Sequence, residues 1–242
     1  MNTADFYFTG DLSAFLPRRN SGQAVQLSFA EHQTVKHLIE SLGVPHVEIG
    51  LVLANGGPVE AGYRPKNGDQ IEVRPAPSGC PVEPRFLLDN HLGRLAAYLR
   101  MLGFDSLYEN DYQDDQLAAV LLDDARILLS RDRRLLMRKV VHYGYCVRSL
   151  KPLEQLEEVV RRFDLAGRIQ PFRRCLRCNG PLEPVDKAAV LDRLEPLTKR
   201  YYEEFVICPA CDQIYWKGSH YERMESVISR LLHKRWRPVR GK

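Results

Sequence analysis

Two short apolar runs, RFLLD (residues 85–89) and RILLSRD (126–132), each lead into an aspartate. Such runs predict buried strands, and in open α/β sheets the working crevice lies beyond the carboxyl ends of the strands. Asp89 and Asp132 are therefore expected to face each other there. Asp114 and Asp115 stand just before the apolar run LAAVLL, which reads as a helix start with Asp114 as N-cap and Asp115 in the first turn. Three carboxylates converging on one crevice repel one another unless a cation sits among them. Hard oxygen ligands in a half-open site suit Mg²⁺ or Mn²⁺, which keep waters and bind phosphate oxygens. The chemistry expected is metal-dependent phosphodiester hydrolysis.

A second constellation is made of sulfur. Cys175-x-x-Cys178 and Cys208-x-x-Cys211 are separated by 29 residues. Each pair makes a tight turn that aims two thiolates at one point, and four sulfurs match tetrahedral Zn²⁺ in a structural role. Redox Cys-x-x-Cys is the alternative, against which two separated copies argue. Cys80 and Cys146 are read as passive thiols.

The elements that must position the acids alternate regularly over 85–168. After RFLLD, the segment HLGRLAAYLRMLG carries Leu92, Leu95, Ala96, Leu99 and Leu102 at helical spacing, with Gly103 as its stop. FDSLY, RILLS and YCVRSL read as strands. DDQLAAVLLDDA, RRLLMRKVV and PLEQLEEVVRRF read as helices, Pro152 fitting the first turn of the last. This β/α alternation predicts a parallel sheet covered by helices. Arg94 and Arg100 fall off the apolar stripe of the helix that leaves Asp89, which makes them surface charges or phosphate contacts.

The pattern LLDxxLGRLxxxLRxLGFD, then DDxLA, then ILLSRD resembles the PIN-like ribonuclease domain named after the C-terminal part of the Mut-seven exonuclease. The resemblance implies a compact α/β nuclease whose acids hold divalent metal for RNA cleavage. Matched position by position, those acids are Asp89, Asp115 and Asp132, with Ser130 and Arg131 leading into the last as candidate substrate contacts. Sites of this type often employ a fourth acid, and Asp111 and Asp114 both qualify.

Ahead of this segment, residues 1–74 give strands at DFYFTG, AVQLSF, GLVLAN and QIEVRP around one helix, VKHLIESLG, capped by Thr34 and stopped by Gly43. The order and the ending NGDQIEV resemble a β-grasp domain of the ubiquitin and sulfur-carrier type. Sulfur carriers work through a free C-terminal Gly-Gly, whereas here the chain continues, so a binding or packing module is expected. Residues 75–84, PAPSGCPVEP, contain four prolines and read as a stiff linker. Residues 169–242 form the zinc ribbon with a basic tail. Its run IYWKGSHYERM again resembles the family, with His220 as a packing residue or a substrate contact. The tail mixes Arg230, Lys234, Arg235, Arg237 and Arg240 with Trp236, a combination suited to phosphate contact and base stacking.

The totals fit this division. Of 242 residues, 44% are apolar and 27% charged, the net charge is +4, and disordered or fibrous classes are excluded. Asp5 and Asp11 interrupt the start, no run reaches membrane-spanning length, and a cytoplasmic protein is expected. The expected activity is that of a metal-dependent ribonuclease with RNA as substrate. A noncatalytic RNA-binding or adaptor protein, its β-grasp unit docking a protein partner, is the alternative.

Overall fold

The computed structural model describes residues 1–17 and 23–233. Most of the turn expected at 17–22, and the tail cluster Lys234, Arg235, Trp236, Arg237 and Arg240, lie outside the described residues. In chain order the elements are β1 (Asn2–Phe8), β2 (Val25–Phe29), α1 (Val35–Ser41), β3 (Ile49–Ala54), β4 (Gly57–Pro58), β5 (Gln70–Pro75), β6 (Phe86–Leu88), α2 (Gly93–Met101), β7 (Ser106–Leu107), α3 (Asp114–Asp123), β8 (Ile127–Ser130), α4 (Arg133–Leu136), β9 (Gly144–Cys146) and α5 (Pro152–Arg162). The last segment adds β10 (Glu183–Val185), α6 (Lys187–Val190), α7 (Pro196–Tyr201), β11 (Phe205–Ile207), β12 (Ile214–Trp216) and α8 (Ser219–His233). The architecture is mixed α/β, with parallel pairing of β6 with β7 and of β8 with β9 between flanking helices. By packing, the described chain divides into two units, Met1–Ser78 with Gln113–Val147, and Gly79–Tyr112 with residues 148–233.

In the first unit the N-terminal sheet has the order β2-β1-β5-β3-β4, with β1 and β5 parallel and the other pairs antiparallel. Strand alternation turns Ala4, Phe6, Ile71 and Val73 inward, and the helical spacing of Val35, Leu38 and Ile39 buries the matching stripe of α1. Thr34 Oγ1 accepts from the His37 amide at 3.3 Å, and Gly43 ends the helix with φ of +87°. This is the β-grasp arrangement expected of the first segment. Polar contacts tie it to residues 113–147 of the same unit. Glu48 Oε1 accepts from the Cys146 amide at 2.6 Å, Arg133 donates to the Phe15 carbonyl at 2.9 Å, and His46 Nε2 lies 2.9 Å from the Val141 carbonyl.

Two local expectations change in this unit. Gln113, not Asp114, is the N-cap of α3, and Gln116 Oε1 accepts from the Gln113 amide at 2.8 Å, so both aspartates sit in the first turn. The helix expected over RRLLMRKVV is a single turn, α4. The β-branched pair Val140 and Val141 follows, and the Val141 amide closes a turn on the Arg138 carbonyl, redirecting the chain into β9.

In the second unit the apolar stripe of α2 is buried as spaced, and α2 packs on α5, whose Leu156, Val159 and Val160 are also buried. Phe86 stands edge-on to Phe104 and Phe163, with centroids 6.0 and 5.9 Å away. Gly103 at the end of α2 has φ of +95°, and a Cβ there would lie 2.1 Å from the Gln170 carbonyl oxygen, so this glycine is required twice over. The last segment is an antiparallel ribbon, β10-β11-β12, around Val190, Leu194, Phe205 and Ile214. No helix among the described residues is long and apolar enough to cross a membrane.

Asp69 is the buried polar anchor of the β-grasp sheet. It accepts from Asn55 Nδ2 at 2.8 Å, Tyr63 Oη at 2.7 Å and the Lys66 amide at 2.8 Å. Burial by itself pushes this carboxyl up, but the three donors outweigh it and hold the carboxyl below its ordinary value. A folded pKa below the unfolded one gives stability that is present above about pH 4 and is lost as pH falls through the folded value. Asp69→Ala leaves three donors without an acceptor and is expected to cost about 1–3 kcal/mol. Urea unfolding of the full chain at neutral and acid pH checks this: the variant's deficit should shrink towards acid pH.

Candidate functional site

The four cysteines meet. Cys175 and Cys211 have sulfurs 3.5 Å apart, Cys178 and Cys208 3.4 Å, and all four ligand atoms lie within 4.8 Å of one another. Zn–S bonds of about 2.3 Å in a tetrahedron require sulfur separations of about 3.8 Å, so this quartet fits the ion. Two equivalent turns build it. In the first, the Asn179 amide returns to the Cys175 carbonyl and the Cys175 amide to the Gly180 carbonyl; in the second, Asp212 and Gln213 repeat the pattern on Cys208. Asn179 and Asp212, each following the second cysteine of its pair, take left-handed φ of +71° and +62°, a conformation that Asn and Asp tolerate best after glycine. The 29-residue gap between the pairs folds as α6, α7 and β10 with β11.

Charge in the quartet is unequal. Burial raises the Cys175 thiol, but hydrogen bonds from the Tyr215 hydroxyl and from the Cys178 and Arg177 amides reverse this and bring it to about 7. Cys178 is pushed up to about 12, first by burial and then by the neighbouring sulfurs. A bare protein thus supports one thiolate well and resists the next, and a dication removes that resistance.

The first cysteine turn is also held from outside the ribbon. Arg100 on α2 is 4% exposed and donates from Nε to the Ser106 carbonyl at 2.9 Å and from Nη1 to the carbonyls of Leu176 and Arg177 at 3.1 and 2.9 Å. Asn179 accepts from the Ser106 amide at 2.9 Å and donates to Asp105 Oδ1 at 2.8 Å. Lying off the leucine stripe, Arg100 is expected from the sequence to be a surface charge or a phosphate contact. It is instead buried against the cysteine turn, a partner 76 residues away that helical periodicity does not contain. The one sequence signal for this bracing is the asparagine directly after the second cysteine.

Asp89 belongs to the second unit. It follows β6, is 7% exposed, and its carbonyl accepts from the Leu92 amide in the turn that leads into α2. That turn is braced by Tyr108, whose hydroxyl donates to the Asn90 carbonyl at 2.9 Å and which would collide with any Cβ at Gly93. Asp115 and Asp132 belong to the first unit. Asp115 is exposed in the first turn of α3 and pairs with Arg138 Nη2 at 2.6 Å. Asp132 follows β8 and caps α4, its Oδ1 accepting from the amides of Arg134 at 2.7 Å and Leu135 at 3.4 Å. Asp111 and Asp114 are exposed in the turn before α3 and at its start.

Of the remaining candidates, Ser130 is fully buried and its Oγ accepts from the Asp132 amide at 2.9 Å, fixing the turn that presents the acid. Arg94 and Arg131 are exposed. His220 is exposed in the first turn of α8, a helix that the sequence reading passed over although Val227, Ile228 and Leu231 mark its apolar side. Cys146 is buried in β9, and burial pushes the Cys80 thiol up to about 11, so neither is an activated nucleophile.

Comparison with known proteins adds the following. A family model described as the Mut7-C RNAse domain matches residues 84–228, and one described as Mut7-C ubiquitin matches residues 1–79. No curated protein matches the chain. A solved structure, the crystal structure of SAMP1 from Haloferax volcanii, is similar over 33% of this chain and 100% of its own, with 18% identity and a TM-score of 0.27. The chain belongs to the Mut7-C RNAse domain family and carries a Mut7-C ubiquitin-like domain ahead of it.

Proposed function

We propose that this protein is a metal-dependent ribonuclease that hydrolyses RNA phosphodiester bonds, acting in the cytoplasm. The observation that carries the reading is the Mut7-C RNAse match across 84–228, within which Asp89 and Asp132 each directly follow a buried strand or its closing turn. In this reading Asp89, Asp115 and Asp132 are the ligands of Mg²⁺ or Mn²⁺, with Asp111 or Asp114 as a fourth. A bound divalent ion would lower the pKa of water and stabilise charge on the phosphorane. The chain's own residues do the rest. Ser130 holds the turn at Asp132, Tyr108 holds the turn after Asp89, and the exposed Arg94, Arg131 and His220 are available to phosphate. Arg100 acts as a positioning residue for the cysteine turn. The quartet Cys175, Cys178, Cys208 and Cys211 holds structural Zn²⁺, and the ubiquitin-like segment offers a surface for a protein partner.

A second reading, a noncatalytic RNA-binding or adaptor protein, is favoured by one observation. Asp115 is ion-paired to Arg138 and Asp132 is a helix cap, so both have structural uses that need no metal.

Two predictions separate these readings and test the zinc site. Asp89→Asn and Asp132→Asn should each lower Mg²⁺- or Mn²⁺-dependent RNA cleavage by about 10²-fold or more while RNA binding is retained. Cleavage that both substitutions leave intact, or a purified protein that never cleaves, leads to the adaptor. Elemental analysis should find near one zinc per chain, reduced by Cys175→Ser, and chelation should lower the unfolding midpoint because the ribbon's fold depends on the ion. Zinc-free protein with an unchanged midpoint would refute the structural role.

A further inference from the structure

The ribbon and the start of α8 line an open cavity of about 870 Å³ that, His220 apart, none of the roles above uses. Its volume lies in the range of about 300–1,000 Å³ typical of small-molecule sites. Its walls carry the rings of Phe172, Tyr201, Tyr202, Trp216 and Tyr221. Phe172 and Tyr221 are stacked, with centroids 4.4 Å apart and planes at 30°, while Trp216 leans on Tyr202 at 6.4 Å. These rings are not sealed into a core. Trp216 is 37% exposed, Tyr201 65%, and Leu197 on the same wall 70%. Large exposed apolar side chains gathered in one concave place mark a binding surface.

The rim has a sign. Arg174 and Lys217 line it, and the Arg200 guanidinium stands 5.5 Å from the Tyr201 ring centroid. Among the described lining residues the one carboxylate is Glu204, and Lys217 already neutralises it at 2.6 Å. Arg174 is held in place by the Asn179 carbonyl at 3.1 Å and by Asp105 at 3.6 Å. Open aromatic faces beneath a cationic rim are the chemistry that recognises unstacked nucleobases joined by phosphates, since every base offers a π face and every linkage a negative charge. An apolar peptide would use the same walls but has no need of the cations.

We propose that this cavity binds bases of single-stranded RNA, stacking them on Trp216 and on the Phe172/Tyr221 pair while Arg174 and Arg200 meet the backbone. The proposal rests on the ribonuclease reading for the choice of RNA, and it makes the ribbon the substrate-holding part of the enzyme. It also selects for unpaired substrate, because a base within a duplex cannot enter.

The test is anisotropy of a short fluorescein-labelled oligouridylate with the full-length, zinc-loaded protein, in buffer without added Mg²⁺ or Mn²⁺. Trp216→Ala and Tyr221→Ala should each weaken binding by about tenfold, Trp216→Phe should retain most of it, and an abasic oligonucleotide of equal length should bind as poorly as the alanine variants. Should Trp216→Ala lower the zinc content, the exposed Tyr201→Ala and the half-buried Tyr221→Ala are read in its place. Binding unchanged by the ring substitutions, or equal binding of the abasic chain, overturns the proposal. So does a labelled leucine- and phenylalanine-rich peptide that displaces the RNA and is itself lost on Tyr221→Ala, which makes the cavity a protein-docking site. Cleavage assays on the same variants keep the two readings apart. A parent that cleaves while its ring variants bind normally defeats the cavity alone, and a parent that binds through the rings but never cleaves defeats the nuclease alone.

Discussion

The guanidinium of Arg100 is the point on which the second unit depends. A buried cation is costly unless its donors are met, and here the acceptors are three main-chain carbonyls, two of them from the turn between Cys175 and Cys178. Burial pulls the Arg100 pKa down, and the nearby Cys175 and Cys178 sulfurs work against that. An arginine stays charged regardless, so the chain must supply the carbonyls. They take up their positions only when the cysteine turn is folded. A metal bound by the four cysteines, as proposed, would therefore also help to satisfy a charge on α2, and Asn179 extends the same tie to the amide of Ser106 in β7. Loss of such an ion would be felt beyond the ribbon, because it would strand a buried cation on the helix that begins just after Asp89.

An analogous dependence runs through the first unit. Glu48 is buried, and its carboxylate accepts from the amide of Cys146 in β9, while Arg133, one residue past Asp132, reaches the Phe15 carbonyl and stacks over the Phe15 ring at 4.9 Å. The ubiquitin-like segment thus braces the element that carries Asp132. A sulfur carrier needs its last residues free to be activated and handed on. Here Pro75 ends β5 in register with Ile49, and the Ala76 amide is bonded to the Glu48 carbonyl. The geometry thus ties the end of the module back into its own sheet.

What was legible in the residues was whatever repeats locally. The leucine spacing of α2, the alternation of β1 and β5, the Thr34 cap and the paired cysteines each carry their partner within a few positions or in an obvious second copy, and each folds as spaced. What was not legible is set by distance along the chain. Arg100 looks like a surface charge because its acceptors lie in a loop 76 residues on. Gln113 displaces Asp114 as cap because Gln116 bonds back to the Gln113 amide, a glutamine pairing that short-side-chain cap preferences do not favour. The helix over 133–141 shrinks to one turn because a β-branched pair and the start of β9 compete for the same residues. The aromatic cavity draws its rings from positions 172, 201, 202, 216 and 221, and no periodicity joins them.

The partners that Asp115 and Asp132 hold in this structure do not disqualify them as metal ligands. The Asp115–Arg138 pair is solvent-facing, with side chains 91% and 37% exposed, and such pairs are weak and screened by salt. A divalent ion offers a carboxylate far more than one guanidinium nitrogen at the surface, so Arg138 is a replaceable counter-ion. Asp132 spends a single oxygen on its cap, since both amides bind Oδ1, and this leaves Oδ2 outside the cap. A cap of that kind orients the carboxylate, and the Ser130 hydroxyl fixes the backbone beneath it. Were Asp132 a metal ligand, as proposed, its structural and chemical uses would be cooperative: the amides that α4 cannot satisfy internally hold one oxygen still, and the stillness of one oxygen would aim the other.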